Sequence, residues 1–438
     1  MRLPSKPPSV ATLLTNLDPS TLVRAVEAGR QVSDYPSWDK VRRRPAPDGL
    51  TPEQWWVGIK FSRATEPLSL RDKEGRPFVV ATPPDVNKAL YEICIATAGR
   101  LGTGEKVLGD AQRDRYLMSS LREEAISSSL LEGAATTRRQ AAEMLRTRRR
   151  PRTRGERMVA NNFAAMQWIR EHTHDPITPE AILQLHAIVT EGTLDDAADE
   201  GRIQQPGEDR VVVGGEDDTI AHDPPPADQL PERLEQLCQF ANSTDANTGW
   251  LHPLARAIIT HFMMGYDHYF VDGNGRTARA LFYWVALREG HWLMEYLSIS
   301  SLLYAAPAKY AKAYLDTETD DGDVTYFLVH QLDVIRRALE ALQSYLDERQ
   351  TELREATTWA RHLGLNHRQV ALVQRAIADP NTVFTAQSHA SSHAITLQTA
   401  RTDLNHLEEH GILEHFQRGR RIEWAPTADL TARLTDES

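Results

Sequence analysis

The chain has 438 residues, of which 41% are hydrophobic and 25% are charged, a composition typical of globular proteins. At about 150 residues per domain, this length predicts roughly three domains. The 61 Asp and Glu residues outnumber the 50 Lys and Arg residues, and the net charge of −11 argues against general adsorption to nucleic acid or anionic membranes.

The cysteine content and the N-terminus indicate the compartment. Two cysteines, Cys94 and Cys238, are too few for a disulfide framework, so we expect a reducing environment and no structural zinc. The first residues lack the apolar core of a signal peptide, and no uncharged apolar run reaches 18 residues. The sequence therefore predicts a cytoplasmic protein without a membrane partner.

The first part of the chain predicts helices joined by irregular segments. We assign residues 1–109 to a mostly helical N-terminal extension. Apolar residues recur at helical spacing from Asp110 to Leu131, and Gly133 is placed to end that helix. The arginine-rich segment 138–157 is typical of a solvated linker, with a phosphate-binding arm as the alternative. Helix and linker together form the segment 110–157.

Residues 158–350 predict a helical bundle that contains one β-hairpin. The β-branched segments 211–213 and 220–222 lie on either side of glycines and acidic residues, as in a hairpin. Three prolines at 224–226 follow, and proline cannot continue a hydrogen-bonded ladder. The fold class is therefore mainly α, with an inserted hairpin.

The C-terminal residues 351–438 change character. Helical patterns at 367–378 and 396–410 precede residues 416–424, which look like two strands with a turn at Arg418–Gly419. Two helices followed by a hairpin are the layout of a winged helix domain.

The most specific motif lies between two predicted helices, in the string His268-Tyr-Phe-Val-Asp-Gly-Asn-Gly-Arg-Thr-Ala-Arg279. We expect one helix to end at Phe270 and the next to begin at Asn274 or Gly275. Glycines allow backbone N–H groups to converge on an anion at the positive end of a helix. This pattern predicts a phosphate-binding loop.

Charged side chains around the loop fit the same chemistry. Arg276 and Arg279 lie three residues apart, on one face of the first helical turn. Asp272 offers a carboxylate oxygen to Mg²⁺, whose remaining ligands would be phosphate and water. The imidazole of His268 can accept a proton from an attacking hydroxyl at neutral pH.

This string resembles the signature of the Fic domain family, HxFx(D/E)GNGRxxR, with Tyr269 where proline is more usual. The resemblance covers residues 158–346 and implies a Fic-type helical bundle that transfers AMP from ATP to a Ser, Thr or Tyr hydroxyl of a protein, with Mg²⁺. It makes His268 the base and Asp272 the metal ligand. The residues that would bind the phosphates of ATP are Gly273, Asn274, Gly275, Arg276 and Arg279, with Arg279 on the γ-phosphate.

The resemblance also assigns roles outside the loop. The hairpin is similar to the flap with which the family pairs a target segment by strand addition, and its candidate residues are Val211, Val212, Val213, Ile220 and His222. A structural hairpin is the alternative. Tyr310 falls where the family places an aromatic residue near adenine, and a core tyrosine is the alternative.

A second motif lies upstream of the loop. Ser128, Glu132 and Gly133 resemble the family's inhibitory motif, (S/T)xxxE(G/N). Ser128 and Glu132 are four residues apart and therefore share a helix face. A carboxylate there can pair with an arginine of the loop, most plausibly Arg279, in the place of the γ-phosphate. In some relatives the same glutamate supports removal of AMP, and the sequence does not separate these roles.

The C-terminal region leaves a second hypothesis open. Residues 396–404 resemble the recognition helix of winged helix regulators, with Thr402 where those proteins carry arginine. The residues expected to face DNA are Gln398, Arg401, Arg418, Arg420 and Arg421, and those expected in the core are Leu404, Leu407 and Leu413. Nine arginines against eleven acidic residues leave this region at −2, which favours a protein-interaction module over DNA binding.

Two functions therefore remain: a protein AMP-transferase that acts on a protein partner or on itself, and a DNA-bound regulator whose Fic core senses nucleotide or modifies itself. Because Fic proteins of this kind often dimerise, the resemblance also implies a homodimer.

Overall fold

The computed structural model describes residues 3–98, 110–214, 220–243, 250–378, 382–418, 421–428 and 430. These residues form two compact, mainly helical units. One contains residues up to 98 and residues 117–340, and the other contains residues 110–116 and those from 341 onward. Within the described part of the chain, no helix combines the length and apolarity that crossing a bilayer requires.

The N-terminal residues form short helices and one antiparallel hairpin. The elements are α1 (Val10–Leu14), α2 (Pro19–Arg30), α3 (Trp38–Val41), α4 (Pro52–Ser62), β1 (Thr65–Arg71), β2 (Pro77–Ala81) and α5 (Pro84–Ala98). Helix α2 packs closely on α4 because glycines lie where the two helices meet. A Cβ on Gly29 or Gly58 would overlap the backbone of the other helix. The tryptophans Trp38, Trp55 and Trp56 are buried in this small core.

The middle of the chain is almost entirely helical. Its elements are α6 (Asp110–Leu131), α7 (Arg138–Thr147), α8 (Arg154–Glu171), α9 (Pro179–Thr190), β3 (Val213–Gly214), β4 (Ile220–His222), α10 (Leu230–Asn242), α11 (Pro253–Asp267), α12 (Asn274–Arg288), α13 (Ile299–Ala305), α14 (Pro307–Thr319) and α15 (Thr325–His362). Nearly every residue of α11 and α12 is buried, so this pair forms the centre of the bundle. The predicted bounds of α6 and the predicted start of α12 are both confirmed.

Most of the arginine-rich segment is helical, so its interpretation as a linker is wrong except for residues 148–153, which connect two helices. Residues 138–147 form α7, which begins with a capping box in which the Thr137 and Gln140 side chains bind each other's backbone N–H groups. Ala141 and Met144 are buried in a cluster shared with α6 and α8, while the arginines lie on the outer side. The many arginines drew attention away from two apolar residues, Ala141 and Met144. Burial of these two residues is sufficient to pack a short helix.

The hairpin is present but shorter than predicted. Val213 pairs with His222 and Gly214 with Ile220, whereas Val211 and Val212 precede the strand and have no ladder partner among the described residues. Residues 215–219, which connect the two strands, lie outside the described residues.

Beyond α15, the described residues of the C-terminal unit form three helices and a hairpin. They are α16 (His367–Ala378), α17 (Ala386–His393), α18 (Leu397–Glu409), β5 (Leu413–Arg418) and β6 (Arg421–Pro426). The predicted core residues Leu404, Leu407 and Leu413 are buried. Helix α17 was missed because its sequence, AQSHASSH, has almost no apolar stripe. Gly419 and Arg420 lie outside the described residues.

Candidate active site

The loop between α11 and α12 turns more sharply than the sequence suggested. Helix α11 ends at Asp267, three residues before the predicted end at Phe270, because His268 adopts a left-handed conformation with φ 49° and ψ 53°. The Asn274 side chain closes the loop: its Oδ1 accepts from the Phe270 N–H at 2.9 Å, and its Nδ2 donates to the Phe270 carbonyl at 2.7 Å.

Helix α12 starts directly after this closed loop and provides an anion site. Gly273 precedes the helix with φ 86°, and the first intrahelical bond runs from the Thr277 N–H to the Gly273 carbonyl. The N–H groups of Asn274, Gly275 and Arg276 therefore have no acceptor within the helix. Converging amides at the positive end of a helix favour a phosphate.

Arg276 is fully buried beside this helix start. It donates from Nη1 to the Val189 carbonyl at 3.2 Å, and its Nη2 lies 3.4 Å from Asp272 Oδ1. Its Nε has no hydrogen-bond partner among the described residues. Burial lowers the pKa of Arg276, against the opposing effect of Asp272. A buried donor without an acceptor costs free energy, so an anion that accepted from it would be stabilised here.

Both polar residues of the inhibitory motif contact Arg279. Its Nε donates to Ser128 Oγ at 2.9 Å, its Nη2 donates to the Ser128 carbonyl at 3.0 Å, and its Nη1 lies 3.0 Å from Glu132 Oε1. Burial acts to lower the pKa of Arg279, but the Glu132 carboxylate raises it above its ordinary value. Gly133 ends the motif with φ 79°.

Glu132 reaches the start of α12 because Gly275 has no side chain. A Cβ at Gly275 would overlap the Glu132 carboxylate. The carboxylate thus lies against the N-terminal turn of α12 at Gly275 and beside Arg279.

A buried glutamate that sequence reasoning missed, Glu124, fixes α6 against its neighbours. Glu124 accepts hydrogen bonds from the Tyr283 hydroxyl at 2.9 Å, from Ser298 Oγ at 3.1 Å, and from both the N–H (3.0 Å) and the hydroxyl of Ser300. Burial raises the pKa of Glu124. Residues 124, 128 and 132 follow a four-residue spacing, which was the available signal.

His268 is half-buried and electrically neutral at pH 7. Burial, together with the neighbouring His222 and Arg210, lowers its pKa to about 4. The ring centroids of His268 and His222 are 6.4 Å apart. A neutral imidazole can accept a proton, as a general base must.

A second histidine, His186, contacts the loop and was not among the predicted site residues. His186 on α9 stacks on Phe270 with a centroid distance of 3.6 Å, and its Nε2 lies 2.9 Å from the Asp272 carbonyl oxygen. Burial lowers its pKa to about 4, so the ring is neutral. Because its partner is a backbone carbonyl far along the chain, no local pattern could have indicated it.

Asp272 is the most exposed polar side chain of the loop. Its Oδ1 accepts from the Gly273 N–H at 2.5 Å, and its Oδ2 lies 3.8 Å from Arg154 Nη2. Among the described residues, no three His, Cys, Asp or Glu side chains group closely enough to hold a metal ion. A Mg²⁺ at this loop would therefore depend on Asp272, phosphate and water, a ligand set that this ion accepts.

The remaining candidates are anchored in the fold. The Tyr310 hydroxyl lies 2.7 Å from His261 Nε2, and its ring packs near Tyr314. The His222 ring is buried, with Nδ1 2.7 Å from Glu318 and Nε2 2.7 Å from the Tyr266 carbonyl. In the hairpin, Val212 and Ile220 are the exposed apolar side chains.

Comparisons with known proteins identify what the middle of this chain is similar to. Residues 176–286 match the sequence model of the Fic/DOC family. A protein of Drosophila mojavensis named "Protein adenylyltransferase Fic" is 34% identical over 115 residues, which are 26% of this chain and 20% of the relative. "Protein adenylyltransferase fic-1" of Caenorhabditis elegans is 32% identical over 117 residues, which are 27% of this chain and 20% of the relative. The matches thus span about a fifth of the length of these curated relatives.

The fold has a solved counterpart. A crystal structure of a Fic family protein from Desulfovibrio desulfuricans G20 aligns with a TM-score of 0.54 and 22% identity, over 79% of this chain and 96% of that one. The chain therefore contains a Fic/DOC domain at residues 176–286, within a mainly helical Fic-type fold.

Proposed function

We propose that this chain is a protein adenylyltransferase, which transfers AMP from ATP to a protein hydroxyl, and that Glu132 holds it in an inhibited state. The observation that supports this most directly is the ion pair between Glu132 and Arg279 at the start of α12. A carboxylate that binds an arginine beside free helix amides occupies the position suited to a phosphate. The two named adenylyltransferase relatives support the same assignment.

ATP would bind with its phosphates at the start of α12. The α- and β-phosphates accept from the free amides of residues 274–276 and from the Arg276 side chain, whose Nε lacks a partner in the described structure. The γ-phosphate binds Arg279 once Glu132 has left it. Tyr310 binds His261 and lies near Arg279. It is the candidate residue for contact with adenine.

The transfer is a single displacement at phosphorus. The hydroxyl oxygen of the target attacks the α-phosphorus of ATP, the bond from that phosphorus to the oxygen bridging the α- and β-phosphates breaks, and pyrophosphate leaves. The hydroxyl proton passes to the neutral ring of His268. The amides and Arg276 stabilise the negative charge that develops on the phosphoryl oxygens.

Mg²⁺, when bound, would neutralise charge on the phosphates. The residue that would hold it is Asp272, whose Oδ2 lies 3.8 Å from Arg154 Nη2. Asp272 Oδ1 already binds the Gly273 amide, which fixes the direction of the carboxylate.

Labelling with ATP that carries the label on the α-phosphate tests the proposal. We expect little incorporation into the purified wild-type chain and strong self-labelling of the Glu132→Gly variant, because Arg279 becomes free for the γ-phosphate. Adding His268→Ala to that variant should abolish labelling. A Glu123→Ala variant is the matched control, because Glu123 lies on the same helix but pairs with Arg138.

Two results would contradict the proposal. Equal labelling of the wild-type and Glu132→Gly proteins would remove the inhibitory role of Glu132. Undiminished labelling of the double variant would remove His268 as the base.

The hairpin is the candidate docking site for the target. Val212 and Ile220 are exposed on it, and its short ladder leaves backbone groups for a further strand. The buried His222, bound to Glu318 and to the Tyr266 carbonyl, fixes the hairpin base near His268.

The C-terminal unit supports a second candidate function, DNA binding through a winged helix. Helix α18 follows α17 after a short turn and exposes Gln398 and Arg401, while Arg421 is exposed on β6. In a mobility shift of the full chain with duplex DNA, an Arg401→Glu variant should lose binding at low salt. Equal shifts for the variant and the wild type, or no shift at all, would leave this unit as a protein-interaction module.

A further inference from the structure

The two residues that flank His268 are joined by a hydrogen bond that the motif pattern does not specify. The Tyr269 hydroxyl donates to Asp267 Oδ2 at 2.6 Å. Tyr269 is completely buried and Asp267 is 1% exposed, so the bond is shielded from water. The bond therefore links the side chains of the two residues on either side of His268.

Asp267 is itself fixed by a distant arginine. Arg233 on α10 donates to Asp267 Oδ1 from Nε at 2.7 Å, and its Nη2 lies 2.6 Å from the same oxygen. The same guanidinium donates to the carbonyls of Arg71 at 2.6 Å and Asp72 at 3.2 Å, on the β1–β2 hairpin. The carboxylate therefore has a fixed position, and Tyr269 binds to a fixed point.

The turn that this bond closes is one that needs support. His268 is a non-glycine residue in the left-handed region, which L-amino acids adopt only at a cost in free energy. Arg210 supports the turn from the main-chain side, donating from Nη2 to the carbonyls of Asp267 at 2.8 Å and His268 at 3.0 Å. These carbonyls lie at a helix end, where intrahelical donors are missing.

Position 269 explains why a side-chain bond is needed in this chain. Proline, the more usual residue at that place in the motif, fixes its own φ through its ring. Tyrosine has no such restriction. In this chain a hydrogen bond from the Tyr269 hydroxyl to the Asp267 carboxylate instead ties together the two residues on either side of His268.

We propose that Tyr269 and Asp267 are positioning residues that hold the backbone of His268 in the left-handed conformation in which it acts as base. The inference rests on the proposed function and deepens it. It assigns no contact with ATP to either residue, so their effect should fall on the transfer step and not on nucleotide binding.

The test uses Tyr269→Phe in the full-length Glu132→Gly chain, because phenylalanine keeps the buried ring and removes only the hydroxyl. The matched control is Tyr266→Phe, which removes another buried hydroxyl nearby, bound to the Lys73 N–H at 3.2 Å. We expect the self-labelling rate at saturating ATP to fall on the order of tenfold in Tyr269→Phe only, as for the loss of one positioning hydrogen bond. The ATP concentration for half-maximal rate should stay within about twofold in both variants.

Hydrogen exchange of the segment 266–273, measured without nucleotide, is the second readout. It should be faster in Tyr269→Phe than in Tyr266→Phe. An unchanged transfer rate, equal rate losses in the two variants, or equal exchange would overturn the positioning role. If the parent Glu132→Gly chain does not label at all, the proposed function fails, and the exchange comparison alone decides whether Tyr269 restrains the turn.

Discussion

Replacing Ser128 with alanine should release the inhibited state, because one specific hydrogen bond is lost. Ser128 Oγ accepts from Arg279 Nε at 2.9 Å, and both residues are about 1% exposed. A hydrogen bond to a charged group contributes about 2 kcal/mol, and a buried guanidinium N–H left without a partner adds to the loss. A shift of about 2 kcal/mol corresponds to roughly 30-fold in the ratio of released to inhibited protein.

The neighbouring serine provides an exact control for this substitution. Ser129 is equally buried on the same helix, but its hydroxyl donates to the carbonyl of Ala125 within α6. The assay is the initial rate of self-labelling at saturating ATP. We expect an increase of up to about 30-fold for Ser128→Ala, limited by the rate of Glu132→Gly, and less than about twofold for Ser129→Ala. Equal rates for the two serine variants would refute the idea that Ser128 restrains Arg279.

Three further predictions concern other buried polar groups. Glu124→Gln should weaken the hydrogen bonds that hold α6 against Tyr283 and Ser300, and so destabilise the inhibited state by about 1 kcal/mol. We therefore expect self-labelling to rise several-fold; a rate equal to that of wild type would contradict this. Because burial lowers the pKa of His186 to about 4, the unfolded state binds its proton first as pH falls from about 6.5 to 4. The free energy of unfolding should therefore drop by about 2 kcal/mol between pH 7 and pH 5 through this group, and His186→Gln should remove that part of the pH dependence in urea titrations. Asp403→Asn should destabilise the C-terminal unit by about 3 kcal/mol, because the buried carboxylate pairs with Arg368 at 2.8 Å; hydrogen exchange in α18 that stays at the wild-type rate would contradict this.

Local signals in the sequence were sufficient where the structure is made by neighbours in the chain. Residues 273–275 fix the start of α12 because glycine, a short polar side chain and a new apolar stripe follow one another directly. The bounds of α6 were predicted for the same reason: an uninterrupted helical pattern ends at Gly133, which has a positive φ.

Features made by distant partners were not predictable in this way. Helix α11 ends at Asp267 because Asn274, Arg210 and Arg233 hold the following turn from other parts of the chain. The apolar pattern continues through Phe270 and does not indicate that the helix ends before it.

Charge and polarity were misleading in two places. The arginines of residues 138–157 suggested a linker, but two buried residues, Ala141 and Met144, are enough to pack α7 against its neighbours. Glu124 is one acidic residue among many in the sequence. Its structural role is evident only from the four hydrogen-bond donors that surround its carboxylate in the folded chain.

A crystal structure of the Glu132→Gly chain with Mg²⁺ and a non-hydrolysable ATP analogue tests the central claim most directly. We predict the terminal phosphate on Arg279, the inner phosphates on the amides at the start of α12, and the ring of His268 facing the α-phosphorus. A triphosphate bound elsewhere, or one that leaves Arg279 paired only with Ser128, would contradict the account.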